Sequence, residues 1–289
     1  MATPQRPVRA WLHLTALAPA LAAIALVMGC AQMVEGTPRP VPSSVSPTGG
    51  SSSPRFPPSG QLALGDCLAV AGFRVVDCAA PHELEVFHVT DLPADLSDTY
   101  PTPATLLPRL EPRCRSELPR YVGSPEVDAS RLREFVYWPS EQSWKAGQRW
   151  ALCAVVEIGS DDQPVRRTGA LGGALRGGLG ALQACAKDSP SQGVLRVVPC
   201  SEAHRGEAVP GVLTLGLPTD PPVSAEQANA AAEPHCRRVI DAFLGAPGDQ
   251  LGLRYSWRYP LPQSWPNGYT TVVCYAETAA PVTGSLRDP

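Results

Sequence analysis

Lysine is nearly missing from this chain: Lys145 and Lys187 are the only two among 24 basic residues, and the rest are arginines. No basic run exists, so nucleic-acid binding has no electrostatic footprint here. Metal-ligand spacings are missing as well. Without a C-x-x-C or an H-x-x-x-H, zinc and haem sites have no sequence support. Neither a G-x-S-x-G elbow nor a G-x-x-x-x-G-K-[ST] loop occurs, which removes the familiar signatures of nucleophilic catalysis and phosphate binding. No cofactor is expected, and the chain does not read as an enzyme.

Targeting signals come first among the features that are present. Arg6 and Arg9 precede an apolar run, Trp11 to Gly29, that stops at Cys30. A basic segment followed by an apolar one marks a secretory signal. The end of the run, Val27-Met28-Gly29-Cys30, resembles a bacterial lipobox, whose cysteine is lipidated and becomes the new N-terminus. A signal anchor is the alternative, since the run approaches the ~20 residues a span requires. Pro19, His13 and Thr15 make it a poor permanent span. Residues 1–30 therefore read as a lipoprotein signal peptide with Cys30 as the lipid anchor. The body is expected on the extracytoplasmic face of the cell membrane. Beyond Cys30, 22 basic residues against 27 acidic ones leave a formal charge of −5. Pro, Ser and Gly supply 18 of the 30 positions from 31 to 60, a composition that reads as a tether.

Eight further cysteines, an even number in an exported chain, read as disulfides. Cys67, Cys78, Cys114 and Cys153 are separated by 11, 36 and 39 positions; Cys185, Cys200, Cys236 and Cys274 by 15, 36 and 38. Local sequence repeats in the same register: EPRCR (111–115) with EPHCR (233–237), QSW (142–144) with QSW (263–265), and Thr168-Gly169-Ala170-Leu171 with Thr283-Gly284-Ser285-Leu286. VVDCAAPHELEV (75–86) matches VVPCSEAHRGEA (197–208), placing His82 on His204 and Glu85 on Glu207. Such periodic self-similarity predicts two tandem modules, 61–160 and 181–289, joined by a flexible Gly-rich connector, 161–180.

Each module reads as α+β: a small antiparallel sheet, a packed helix and two disulfides. Strands are predicted at FRVVDC and ELEVFHV, REFVYW and RWALCAVVEI, and at the corresponding places in the second module. A helical region lies between them, with Cys236, Val239, Ile240 and Phe243 on one face. Pro112 and Pro234 should not sit inside an unbroken helix, so a new helix is expected to start at each. Pairing Cys114 with Cys153 and Cys236 with Cys274 would bolt helix to sheet, leaving Cys67–Cys78 and Cys185–Cys200 as local clips. Sequence alone leaves the other pairings open.

GDC (65–67), V-x-C (76–78), PH-x-x-EVF (81–87), a mid-domain cysteine and W-x-x-G-x-R (144–149) resemble the actinobacterial septum-formation family. The resemblance covers roughly residues 61 to 286 and is weaker in the second module. It implies a role at the envelope or division site and no transferable catalytic mechanism. Two features tempt a chemical reading. His82, Glu83, Glu85 and His88 suggest a metal or acid/base cluster. If 82–88 is one strand, however, His82 and Glu85 point to opposite faces and cannot share an ion, unless a turn at Pro81-His82 restores the geometry; the structural reading is that both hydrogen-bond the turn that follows the first disulfide. Trp144 and Trp265 suggest stacking platforms, although their repetition at identical spacing before a disulfide cysteine favours packing, and Trp138, aligned with Tyr259, is the tryptophan left open to exposure. The candidate binding surface is thus His82, Glu85, Trp138 and Trp144. Expected partners are the membrane, through the lipid anchor, and envelope or division proteins or cell-wall polymer. An enzyme or enzyme accessory acting on that polymer is the alternative.

Overall fold

The computed structural model describes residues 62–287 apart from 72–73, 93–94 and 97–98. The expected signal segment, Cys30 and the tether 31–60 lie outside the described residues. No helix among the described residues is long and apolar enough to cross a membrane.

The fold is α+β with two antiparallel sheets. Its first half comprises β1 (Cys67–Ala69), β2 (Arg74–Val76), β3 (Leu84–Asp91), helix α1 (Pro103–Val122), β4 (Leu132–Tyr137), a short helix α2 (Glu141–Lys145) and β5 (Trp150–Glu157). The second comprises β6 (Ala184–Ala186), β7 (Val197–Pro199), β8 (His204–Ala208), β9 (Leu213–Thr214), helix α3 (Ala225–Leu244), β10 (Arg254–Arg258) and β11 (Thr271–Val282). The sheet orders are β2-β1-β3-β5-β4 and β7-β6-β8-β11-β10, with β9 pairing to β11 off the main path. Strands β1 and β6, each holding the first cysteine of its half, escape the sequence reading. At three residues, CLA and ACA, they are too short to show alternation.

Both long helices run through their prolines, contrary to the expected breaks. Helix α1 contains Pro108, Pro112 and Pro119, and α3 contains Pro234. An interior proline costs roughly 3 kcal/mol through its lost N–H and its clash with the preceding turn. Tertiary packing outweighs that cost here. Leu106, Leu110, Cys114, Leu118 and Val122 recur every four residues along α1, so one buried face continues across each proline. Ala228, Ala232, Cys236 and Ile240 do the same in α3. Leucine burial at roughly 1.5–3 kcal/mol per side chain holds both ends of α1 on the same sheet. Glycine closes each helix, Gly123 and Gly245 taking φ of 85° and 75° at the C-caps.

Four disulfides bind these elements: Cys67–Cys78, Cys114–Cys153, Cys185–Cys200 and Cys236–Cys274. Cys114 and Cys236 project from the buried helix faces to β5 and β11, as the helix-to-sheet argument requires.

The Gly-rich segment 169–180 is not a flexible connector. Leu171, Leu175 and Leu179 are buried in one hydrophobic cluster with Phe87 and Leu118 from the first half and Ala184, Ala208 and Tyr275 from the second. Composition suggested freedom because it weighs the glycines; leucines four apart decide otherwise, and glycine supplies the turns. A polar seam runs beside this cluster. Arg115 pairs with Asp128 and, at 3.5 Å, with Glu134, while its guanidinium lies 4.8 Å from the centre of the Tyr269 ring. Tyr269 Oη donates to Glu134 at 2.8 Å, Thr271 Oγ1 to Asp128, and Asn267 Nδ2 to Glu111 at 2.7 Å.

Candidate functional site

The first disulfide fixes the neighbourhood of His82 and Glu85. Strand β3 begins only at Leu84, and a bend at Glu83 separates it from His82, which forms an isolated bridge with Arg167. Strand alternation therefore stops before it reaches His82. The expectation that His82 and Glu85 point apart is overturned: ligand atoms of Cys67, His82 and Glu85 all lie within 4.8 Å of one another. Nor do these residues form a surface, since each of the two side chains is 1% exposed.

Their bonds show what they hold. Nδ1 of His82 donates to the Ala80 carbonyl at 2.8 Å, within the turn that follows Cys78. Among the described residues, its Nε2 is buried without a hydrogen-bond partner. Glu85 accepts from the Leu171 N–H, from the Gly172 N–H at 2.9 Å and from Tyr121 Oη. Burial, and then this bond to a carboxylate, push the Tyr121 hydroxyl well above the ordinary tyrosine range. As a metal site the group is deficient. Cys67 is bonded to Cys78, so no thiolate is on offer, and the carboxylate already accepts three protein bonds. One imidazole nitrogen and an occupied carboxylate fall short of a tetrahedral donor set.

The same bonds recur in the second half. Nδ1 of His204 donates to the Glu202 carbonyl at 2.8 Å, and its Nε2 is again buried with no hydrogen-bond partner among the described residues. Glu207 accepts from Ser285 Oγ at 2.9 Å and from the Leu286 N–H at 2.6 Å. Gly169 and Gly284 donate their N–H groups to the carbonyls of Cys78 and Cys200, at 2.6 and 2.7 Å. Histidine thus shapes the turn after each clip, and glutamate ties down a Thr-Gly-x-Leu segment. The echo of 168–171 in 283–286 was the sequence signal for these glutamate partners.

Trp144 is 1% exposed and packs with Leu92, Leu106, Leu110 and Ala151, which removes it from any binding surface. The Arg149 guanidinium covers its ring at 3.8 Å and Tyr100 meets it edge-on at 5.9 Å. Trp138 is half-buried and donates through Nε1 to Tyr100 Oη at 3.2 Å. Of the four expected surface residues, Trp138 alone has appreciable exposure.

The open site lies elsewhere, between α1 and the sheet. A cavity of about 200 Å³ is walled by Leu110, Val136, Ala151 and the Cys114–Cys153 pair and rimmed by His88, Asp91, Arg109 and Arg113. Arg113 Nε donates to His88 Nε2 at 3.0 Å. Burial first, and the Arg113 charge second, hold the imidazole below its ordinary pKa. Arg109 forks onto both oxygens of Asp95 at 2.8 Å. Sequence reasoning passed over both arginines: separated by four positions on a helix, they look like ordinary solvent-facing charge. Only the register of α1 against β3 brings them to His88 and Asp91.

No curated protein and no solved structure matches the chain. A family model described as septum formation matches residues 65–274, a span holding all eight disulfide cysteines, and the chain belongs to that septum-formation family.

Proposed function

We propose that this chain is a membrane-tethered lipoprotein on the extracytoplasmic face of a bacterial cell membrane, with a non-enzymatic binding or structural role in the envelope linked to septum formation. Its folded part is two tandem copies of one α+β module, a reading supported by the shared strand order and the repeated histidine–glutamate bonds. Cys30 is the lipid anchor, and the partners are envelope or division proteins or cell-wall polymer. The observation that carries this reading is the fate of the buried ionisable side chains. His82, Glu85, His204 and Glu207 spend their bonds on backbone turns, and Arg115, Asp128 and Glu134 on one another. A catalytic site needs titratable groups that meet in a cleft and remain free to exchange protons. Four disulfides favour an oxidising compartment, since cytosolic thiols are kept reduced.

The test is crosslinking in living cells with partner identification, alongside imaging and membrane fractionation. Enrichment at division sites, recovery of envelope partners and release of the Cys30→Ser variant from membranes are expected. An evenly distributed protein with no envelope partner would defeat the reading. Release of soluble fragments from purified cell wall would favour an enzyme.

A further inference from the structure

The cavity beside α1 carries an inference that goes beyond the proposed function and does not depend on where the chain sits. Past the bulge in β3, the register against β5 sorts the lining. His88 pairs with Cys153 and Thr90 with Ala151, which places them on the face that α1 covers. Val89 pairs with Leu152 and Asp91 with Trp150, and Leu152 and Trp150 belong to the core on the other face. Successive strand residues alternate faces, so Asp91 borders the cavity without turning its carboxylate into it. Among the described residues, no other acid lines this space. The rim is therefore basic. Arg109 is committed to Asp95, as Arg120 is to Glu117. Arg113 is exposed and donates through Nε to His88, which fixes its guanidinium at the rim. Among the described residues, its two terminal nitrogens have no hydrogen bond. One cation with a free fork thus stands at the edge of apolar walls formed by Leu110, Val136, Ala151 and the Cys114–Cys153 disulfide.

The second half shows that the scaffold does not require this charge. At the position before the helix cysteine, Arg113 is replaced by His235, whose Nε2 donates to the Gly211 carbonyl at 2.6 Å. Around the equivalent disulfide, Val272 takes the place of Ala151, Trp257 that of Val136 and Val209 that of His88. All three join Ala232 and Cys236 of α3 in one apolar cluster. The helix-to-sheet disulfide and the buried helix face persist there without a basic rim.

Volume and charge together describe the occupant. A dry apolar cavity of about 150 Å³ accommodates a benzene ring, so about 200 Å³ has room for a body of that size with a charged group at the rim. We propose that this cavity binds a small organic monocarboxylate, its carboxylate forked onto the Arg113 guanidinium and its compact apolar body against Leu110, Val136 and Ala151. A planar guanidinium with two free nitrogens matches a carboxylate bidentately. One unpaired cation balances one negative charge, and the aliphatic walls favour a body without further polar groups.

Calorimetric titration of the full chain with sodium benzoate tests this, with benzamide as the uncharged form. Saturable one-site binding of benzoate is expected. Benzamide should bind at least about tenfold more weakly, as should benzoate to Arg113→Gln, since each change removes a charged hydrogen bond. Ala151→Val, which copies Val272, should weaken benzoate by filling the cavity. Arg237→Gln, on the exposed face of α3, should bind as the parent does. Circular dichroism checks that each variant folds; Arg113 is exposed, so Arg113→Gln decides the matter even if Ala151→Val does not fold. Absence of saturation at about 10 mM, equal binding of benzamide, or undiminished binding by Arg113→Gln or a folded Ala151→Val would overturn the proposal. Tighter binding of phenyl phosphate than of benzoate would make this a phosphate-ester site and refute the carboxylate assignment.

Discussion

The arginine that follows the helix cysteine has different surroundings in the two halves. Arg115 is buried, paired with Asp128 and Glu134, and capped by the Tyr269 ring. Arg237, at the same place in α3, is half-exposed, lies 3.9 Å from Asp249 and rests 4.3 Å over the ring of Tyr255. The local design is common to both: a helix arginine reaching a carboxylate in the following 3-10 turn. What differs is the cover. Tyr269, Asn267 and Thr271 of the second half close over the first-half group and bond its acids, whereas among the described residues no equivalent cover lies over Arg237. Burial changes the electrostatics accordingly. Burial alone would lower the Arg115 pKa, but the Asp128 and Glu134 carboxylates raise it further than burial lowers it; Arg115 in turn holds Asp128 below its ordinary value against the same burial.

The sharpest way to break the comparison is to delete each arginine. Arg115→Ala leaves two carboxylates buried without their cation, which costs roughly 3–5 kcal/mol. Arg237→Ala removes an exposed pair and should cost about 0–1 kcal/mol. Denaturant unfolding of both variants measures the difference, and equal losses would show that the seam contributes nothing beyond surface pairing.

Disulfide removal should treat the halves alike. Replacing Cys114 and Cys153 together, or Cys236 and Cys274, opens loops of 39 and 38 residues, worth about 4 kcal/mol each in chain entropy. Because both sheets share one hydrophobic cluster, each pair of substitutions should lower a single cooperative transition. Two separate transitions in calorimetry would mean that the halves unfold independently.

A smaller asymmetry is expected at the paired glutamates. In Glu85→Gln one amide oxygen must serve where two carboxylate oxygens accept, and the new NH2 faces a backbone N–H, so roughly 2–3 kcal/mol is lost. In Glu207→Gln the NH2 group can face Ser285, whose hydroxyl can turn from donor to acceptor, and about 1 kcal/mol is expected. Equal losses from the two substitutions would remove the role assigned to Tyr121 and the Gly172 N–H.

The disulfide framework was legible in part: a helix-face cysteine and a last-strand cysteine favoured the pairing that the structure has, while the spacing left the other pairings open. Most strands followed from alternation. Three features were not legible, and for one physical reason: each is decided by contacts distant in sequence. Prolines stay inside α1 because leucines on both sides of them face one sheet. Residues 169–180 are ordered because their leucines enter a core built by other segments. His82 and Glu85 converge because a bend at Glu83, stabilised across the sheet, interrupts the alternation that sequence reasoning extended one turn too far. The sites followed the same division. The bonding of Glu85 was foreshadowed by a local repeat, whereas the Arg113 cavity exists only through helix-to-strand register.

The finest contrast concerns pH. Glu111, at the edge of the seam, has its pKa pushed up from 4.5 to about 7, first by burial and then by the nearby Glu134 carboxylate. Its counterpart at the start of EPHCR, Glu233, is exposed. Because the folded-state pKa of Glu111 is raised, the folded chain holds a proton that the unfolded chain has released between pH 4.5 and about 7. Its contribution to stability is fully present below pH 4.5 and is lost as pH rises through about 7, where ionisation sets a second negative charge beside Glu134. Glu111→Gln should therefore flatten this part of the stability–pH curve, and Glu233→Gln should leave it unchanged. Asn267 would still find an acceptor in the carbonyl oxygen of the substituted amide, so the seam keeps its bond while losing its titration. Urea midpoints at pH 5 and pH 8 measure both variants against the parent. An unchanged slope in Glu111→Gln would place the pH dependence elsewhere in the fold.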